Sequence, residues 1–130
     1  MTVGLGFFGT AESRAALGHA IRECTVHGAD LVVVVPEPVA GSDAFGADLA
    51  LARASLGGHQ VSVRVVADEH DTPGALIDLS YEDDVDLLVM GLKRRSPVGK
   101  LILGSLTQKV LLDARCPVTA VKPPVTVATE

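Results

Sequence analysis

Two hydrophobic periods alternate along the chain. Val3-Gly4-Leu5-Gly6-Phe7-Phe8 is an unbroken apolar and glycine run and reads as a buried first strand. After a turn at Gly9-Thr10, Leu17, Ala20, Ile21 and Cys24 recur at i, i+3, i+4 and i+7, the spacing of one helix face. Gly28 ends that helix, and Leu31 to Val35 is apolar throughout, as strands buried on both faces are. Pro36 to Ser42 reads as a loop. Asp43 to Leu56 fits a second helix carrying Leu49, Ala50, Arg53 and Ala54, stopped by Gly57-Gly58. Gln60 to Val66 alternates cleanly, which predicts a strand with one wetter face at a sheet edge.

Asp71-Thr72-Pro73 opens a third helix, with Thr72 or Asp71 as cap and Pro73 in the first turn. Leu76, Leu79 and Ser80 are expected to face inward. Val85 to Met90 reads as strand four, Ser105 to Ala114 as helix four and Val118 to Val121 as strand five. Five strands alternating with four helices predict an α/β fold, an open five-stranded parallel sheet with helices on both faces. One domain over residues 1–123 and a fraying tail over 124–130 are expected, without internal repeat or linker. Ligands of such sheets bind beyond the carboxyl ends of the strands, where strand order reverses. Three loops qualify: Gly9-Thr10-Ala11, Pro36-Glu37-Pro38 and the segment after Met90.

Composition narrows the choice of ligand. The 130 residues are 48% hydrophobic and 3% aromatic, so the core is aliphatic and no Trp is available to stack on single-stranded nucleic acid. A formal charge of -5 argues against nucleic acid as a partner, because a phosphate backbone demands a basic face. The longest apolar run falls short of a membrane span, which excludes a membrane role from the reading. Two distant cysteines, Cys24 and Cys116, and no recognisable signal peptide point to a reducing cytoplasm.

Against that acidic background, Lys93, Arg94, Arg95 and Lys100 cluster between the end of strand four and the Gly104-Ser105 pair that opens helix four. A strand end, a basic glycine-bearing loop and a helix N-terminus make an anion site, since backbone N–H groups and the helix dipole converge there. The bland alternative is a solvated loop whose glycines serve only as turn residues. A Walker-type phosphate loop is excluded, because Gly91 and Gly99 are too far apart and Leu101 follows Lys100. No G-x-G-x-x-G follows strand one. His19, His27, His59 and His70 show no metal-ligand spacing. Asp68 to Asp71 form an acidic cluster that either touches a metal-bound nucleotide or caps a helix. Ser13 and Ser105 have no evident histidine base, so nucleophilic catalysis is not supported.

The same segment carries a family resemblance. Gly91, Arg94 and Gly104-Ser105 follow a pattern of glycine, two residues, glycine, nine residues, then glycine and Ser or Thr, with Arg94 at the second glycine. With Met90-Gly91, the Ser96 to Lys100 loop and the closing Cys116-Pro117-Val118, the chain resembles the universal stress protein family over nearly its whole length. The resemblance implies a Rossmann-like, adenine nucleotide alpha hydrolase-like fold, a stress-response role and a homodimer through the last strand, Val118 to Val121. It implies ATP as ligand, with Mg²⁺ only alongside ATP, and any hydrolysis slow and incidental.

The site residues it implies are Gly9 and Thr10 after strand one, Val35 on strand two, and Met90, Gly91, Arg94 and Gly99 around the basic loop. Gly104, Ser105 and Leu106 follow at the helix N-terminus. The sequence departs from nucleotide-binding members at Phe8, where they carry an Asp, and at Arg94. Those departures favour the alternative, the same fold as a dimeric protein-interaction module without nucleotide. Excess absorbance at 260 nm in the purified protein separates the two. A phosphoacceptor receiver domain is rejected, because Phe7-Phe8 stands where its acidic pair would be.

Overall fold

β1 (Thr2–Gly6) divides its two faces by size. Val3 and Leu5, continued by Phe7, point to one side; Gly4 and Gly6 point to the other. In the computed structural model, which describes residues 1–93 and 103–122, this strand is the centre of a five-stranded sheet. Its neighbours are β2 (Asp30–Pro36), β3 (Val61–Val66), β4 (Val85–Gly91) and β5 (Val118–Val121). The order is β3-β2-β1-β4-β5 and every pairing is parallel, as the alternation of periods predicts. β1 and β4 therefore lie where the strand order reverses. β3 is an edge strand, as its alternation indicates: Val61 is buried and Val63 half-buried on one face, whereas Ser62 and Arg64 are exposed on the other.

α1 (Ala11–His27) and α3 (Asp43–Leu56) cover the large-residue face of β1. Ala16, Leu17, Ala20 and Cys24 pack there with Val33, Val35 and Val89, and Ile21 joins them partly buried. On α3 the buried positions are Phe45, Ala52 and Leu56, with Leu49 half-buried; Ala50 and Ala54 face outward. Arg53 flanks the buried stripe, its Nη2 donating to the Val61 carbonyl at 3.0 Å. The stripe is anchored by Phe45, whose ring centroid is 5.6 Å from that of Phe7.

The other face is closed by α4 (Thr72–Ser80) and α5 (Ser105–Asp113). Here the glycines of β1 set the spacing. A Cβ on Gly4 would fall 2.7 Å from Leu79 Cδ2 and from Leu88 Cδ2, and one on Gly6 2.9 Å from Leu76 Cδ1. Leu76 and Leu79 are fully buried in that space, each burial contributing roughly 2 kcal/mol. Ser80 ties the two helices' ends together: its Oγ donates to the Ile77 carbonyl and accepts from the Arg115 N–H at 3.0 Å.

Local departures from the sequence reading are few. The segment read as a loop after β2 contains a short helix, α2 (Glu37–Ala40), with Pro38 in its first turn. A 3-10 turn, Glu69–Asp71, precedes α4; the Asp68 carboxylate accepts from the His70 N–H and Asp71 accepts from the Asp68 N–H. Cys24, on the apolar face of α1, is buried, and Cys116 is partly buried. The basic loop from Arg94 to Lys100 and the tail after Lys122 lie outside the described residues. Among the described residues, no helix is long and apolar enough to cross a membrane.

Candidate functional site

The carboxyl ends of β1 and β4 open into a cleft with a volume of about 90 Å³. One wall is the turn into α1. Thr10 caps that helix, accepting the Ser13 N–H at 3.2 Å. Ser13 Oγ in turn accepts the Phe8 N–H at 2.9 Å and the Thr10 hydroxyl at 3.1 Å. Gly9 adopts φ 75°, a left-handed conformation that residues with a Cβ rarely reach, and this turns the chain from Phe8 into the helix. The polar groups of this wall are thus engaged with one another.

The opposite wall is the first turn of α5, and its chemistry differs. Its N-cap is Gly104, which has no side chain to offer, so no side-chain acceptor caps the helix. A helix N-terminus carries up to four backbone N–H groups without intrahelical partners and a partial positive charge. Gly104, Ser105, Leu106 and Thr107 line the cleft. The helix entry is held from behind, with Gln108 N–H on the Gly104 carbonyl and Gln108 Nε2 on the Leu103 carbonyl.

Gly91 forms the floor together with Met90. A Cβ on Gly91 would lie 2.5 Å from the Glu12 carbonyl oxygen, so this glycine is required by the close approach of β4 to the first turn of α1. Glu12, Glu69 and Lys93 supply the charges around the cleft.

A second cavity, of about 250 Å³, adjoins the first and is lined by Pro36, Pro38, Val39 and Asp68. Phe8 and Glu69 line both cavities. Phe8 is half-buried, unlike Phe7, which is 1% exposed.

Of the residues singled out in the sequence, Thr10, Met90, Gly91, Gly104, Ser105 and Leu106 come together in the cleft. Gly9 shapes the turn beneath it. Val35 is fully buried among the aliphatic residues over α1 and α3, and its side chain lines neither cavity. Arg94 and Gly99 lie outside the described residues. Glu12 and Thr107 were not singled out; their signal is a position in the first turn of a helix that begins at the cleft.

Other reactive groups lie elsewhere. Burial, reinforced by the nearby Asp30 and Glu23 carboxylates, pushes the Cys24 thiol up to about 11, so it stays protonated and unreactive. Burial also raises the Cys116 thiol. His19 and His27 both face Glu23, at 3.3 and 3.2 Å. Among the described residues, no group of three or more His, Cys, Asp or Glu could hold a metal ion.

The family model described as the universal stress protein family matches residues 1–122. The chain belongs to the universal stress protein family. A universal stress protein of Thermus aquaticus is 32% identical over 93% of this chain and 98% of its own length. One from Mycolicibacterium smegmatis is 47% identical, but over 53 residues that span only 41% of that protein. Two solved universal stress proteins share the fold. The Archaeoglobus fulgidus protein in complex with dAMP has a TM-score of 0.67 at 21% identity, covering 94% of this chain and 98% of that one. Another, in complex with cAMP, has a TM-score of 0.66 at 23% identity over 95% and 98% of the two chains.

Proposed function

We propose that this universal stress protein binds an adenine nucleotide, with its phosphate on the first turn of α5 and its base toward the ends of β1 and β2. The observation that carries this reading is the N-terminus of α5: a glycine cap, no side-chain acceptor and a position at the strand-order reversal. The dAMP and cAMP complexes of proteins with this fold support the class of ligand. Mg²⁺ would accompany only a polyphosphate such as ATP, where it would offset the nearby Glu12 and Glu69 charges. The protein would act in the cytoplasm as a sensor whose nucleotide load changes with cellular state.

Gly104 has φ -69° and ψ 162°, a conformation open to any residue, so Gly104→Val should fold. Its side chain would stand at the helix N-terminus, and binding of AMP and of ATP with Mg²⁺ should fall beyond calorimetric detection. Wild-type affinity in a folded Gly104→Val variant would remove the site from α5. Ser105→Ala should cost less, about 1.5–3 kcal/mol for one charge-assisted hydrogen bond.

Phe8 favours a second reading, a dimeric interaction module without nucleotide, because its ring borders both cavities and cannot accept a hydrogen bond. Both readings include a homodimer through β5. Leu88 N–H bonds the Pro117 carbonyl and Leu92 N–H the Val121 carbonyl, which places the N–H and C=O of Val118 and Ala120 on the open edge. Such an edge pairs readily with a second copy about a two-fold axis. Ala120→Pro removes one outward donor and leaves the ladder to β4 intact. Sedimentation should show a wild-type dimer and a folded monomeric variant; a dimeric variant would place the interface elsewhere.

A further inference from the structure

Neither cavity alone reaches the ~300 Å³ of an ordinary small-molecule site, at about 90 and 250 Å³. A ligand that occupies both must run past the two residues they share, Phe8 and Glu69. From these shared walls we infer that Phe8 and Glu69 determine specificity for a ribonucleotide, Phe8 stacking on the base and Glu69 accepting a ribose hydroxyl. The inference rests on the nucleotide reading of the cleft and adds to it how the ligand is read.

The order of chemistry along the cleft supports the assignment. At one end are backbone donors of α5, which suit a phosphate. At the other end, Pro36, Pro38 and Val39 give an apolar wall beside the Asp68 carboxylate, and that wall suits the face of a planar ring. Between the two lies the sugar, and it is there that Glu69 lines both cavities. Among the described residues nothing engages the Glu69 carboxylate, whereas its neighbour Asp68 is committed to the His70 N–H at 2.7 Å.

A carboxylate accepts hydroxyl protons and repels phosphate, so its place beside the sugar is the favourable one. Phe8 is held at its backbone, its N–H on Ser13 Oγ and its successor Gly9 in a left-handed turn, which keeps the residue at the junction of the two cavities. Stacking is indifferent to the pattern on the base edge, so the site reads ring and ribose before it reads adenine.

Calorimetry on the full chain tests this with AMP, ribose 5-phosphate and inorganic phosphate. Phe8→Leu, which keeps an apolar side chain, should weaken AMP about tenfold, the scale of one base on one aromatic ring. It should leave ribose 5-phosphate unchanged, and Phe8→Tyr should restore AMP binding. Glu69→Ala should weaken both AMP and ribose 5-phosphate while leaving inorganic phosphate equal or tighter. AMP binding that is unchanged or tighter in Phe8→Leu and in Glu69→Ala would overturn this inference and leave the nucleotide site standing. Wild-type protein that binds neither AMP nor ribose 5-phosphate would overturn both.

Discussion

Gly91→Ala is expected to destabilise the protein by about 2–3 kcal/mol, at the upper end of ordinary overpacking. The added Cβ would sit 2.5 Å from the Glu12 carbonyl oxygen and 2.7 Å from its carbon, and both are backbone atoms. A side chain could rotate aside, but the first turn of α1 cannot move without disturbing Thr10, Ser13 and the Phe8 N–H bound to them. A drop in Tm of roughly 6–12 °C follows for a domain of this size. Gly46→Ala is the control. Gly46 lies in α3 with nothing within 4 Å of its would-be Cβ, so the change should stabilise by about 0.4–1 kcal/mol. Thermal unfolding of the two variants against wild type decides the point; equal Tm values would mean that α1 does not press on Gly91. Ligand affinity should also fall in Gly91→Ala below its Tm, because the displaced turn is a wall of the cleft.

The second large effect is predicted for Leu79→Ala, at about 2–5 kcal/mol. Leu79 is fully buried, and its Cδ2 shares the space above Gly4 with Cδ2 of Leu88 on β4. Gly4→Ala alone should also destabilise, by placing a Cβ 2.7 Å from Leu79 Cδ2 and Leu88 Cδ2. Combined, the two changes relieve each other in part, since the new methyl enters the space that Leu79 vacated while Leu88 Cδ2 stays in place. Denaturant unfolding of the four proteins in the cycle should give a double variant less destabilised than the sum by 0.5 kcal/mol or more. Strict additivity would mean that Leu79 and the face of Gly4 do not share one space.

Much of the fold was legible because the strands of a doubly covered parallel sheet are apolar throughout, as Leu31 to Val35 is, and the helices between them announce their caps. Thr10, Ser42, Gly28 and Gly57 all stand where the helix ends lie. α2 escaped the reading because four residues show no period, although a proline in its first turn is a start signal. The buried side of α3 escaped it because alanines surround that helix, so composition does not distinguish Ala52 from Ala50 or Ala54; Phe45 was the informative residue. At the cleft, the helix N-terminus of α5 was legible from Gly104-Ser105. The role of Gly91 was not, since a glycine required by a helix packed from elsewhere in the chain looks the same as one required by a ligand. Glu69 was visible only as part of an acidic run, and its place between two cavities depends on the 3-10 turn that carries it.

The division of β1 into a large and a small face also keys the strand along its own length. Slipping the chain by one residue would turn Val3, Leu5 and Phe7 toward Leu76 and Leu79, and leave glycines opposite α1. Slipping it by two preserves the faces but moves Phe7 to where Leu5 packs, against a core already filled to Phe45. The ascending series of valine, leucine and phenylalanine therefore works like the bitting of a key, with one insertion depth. Each residue of slip would carry Phe8, Gly9 and Thr10 about 3.3 Å along the strand axis, so the depth of the cleft is set from inside the sheet, by residues no ligand would touch.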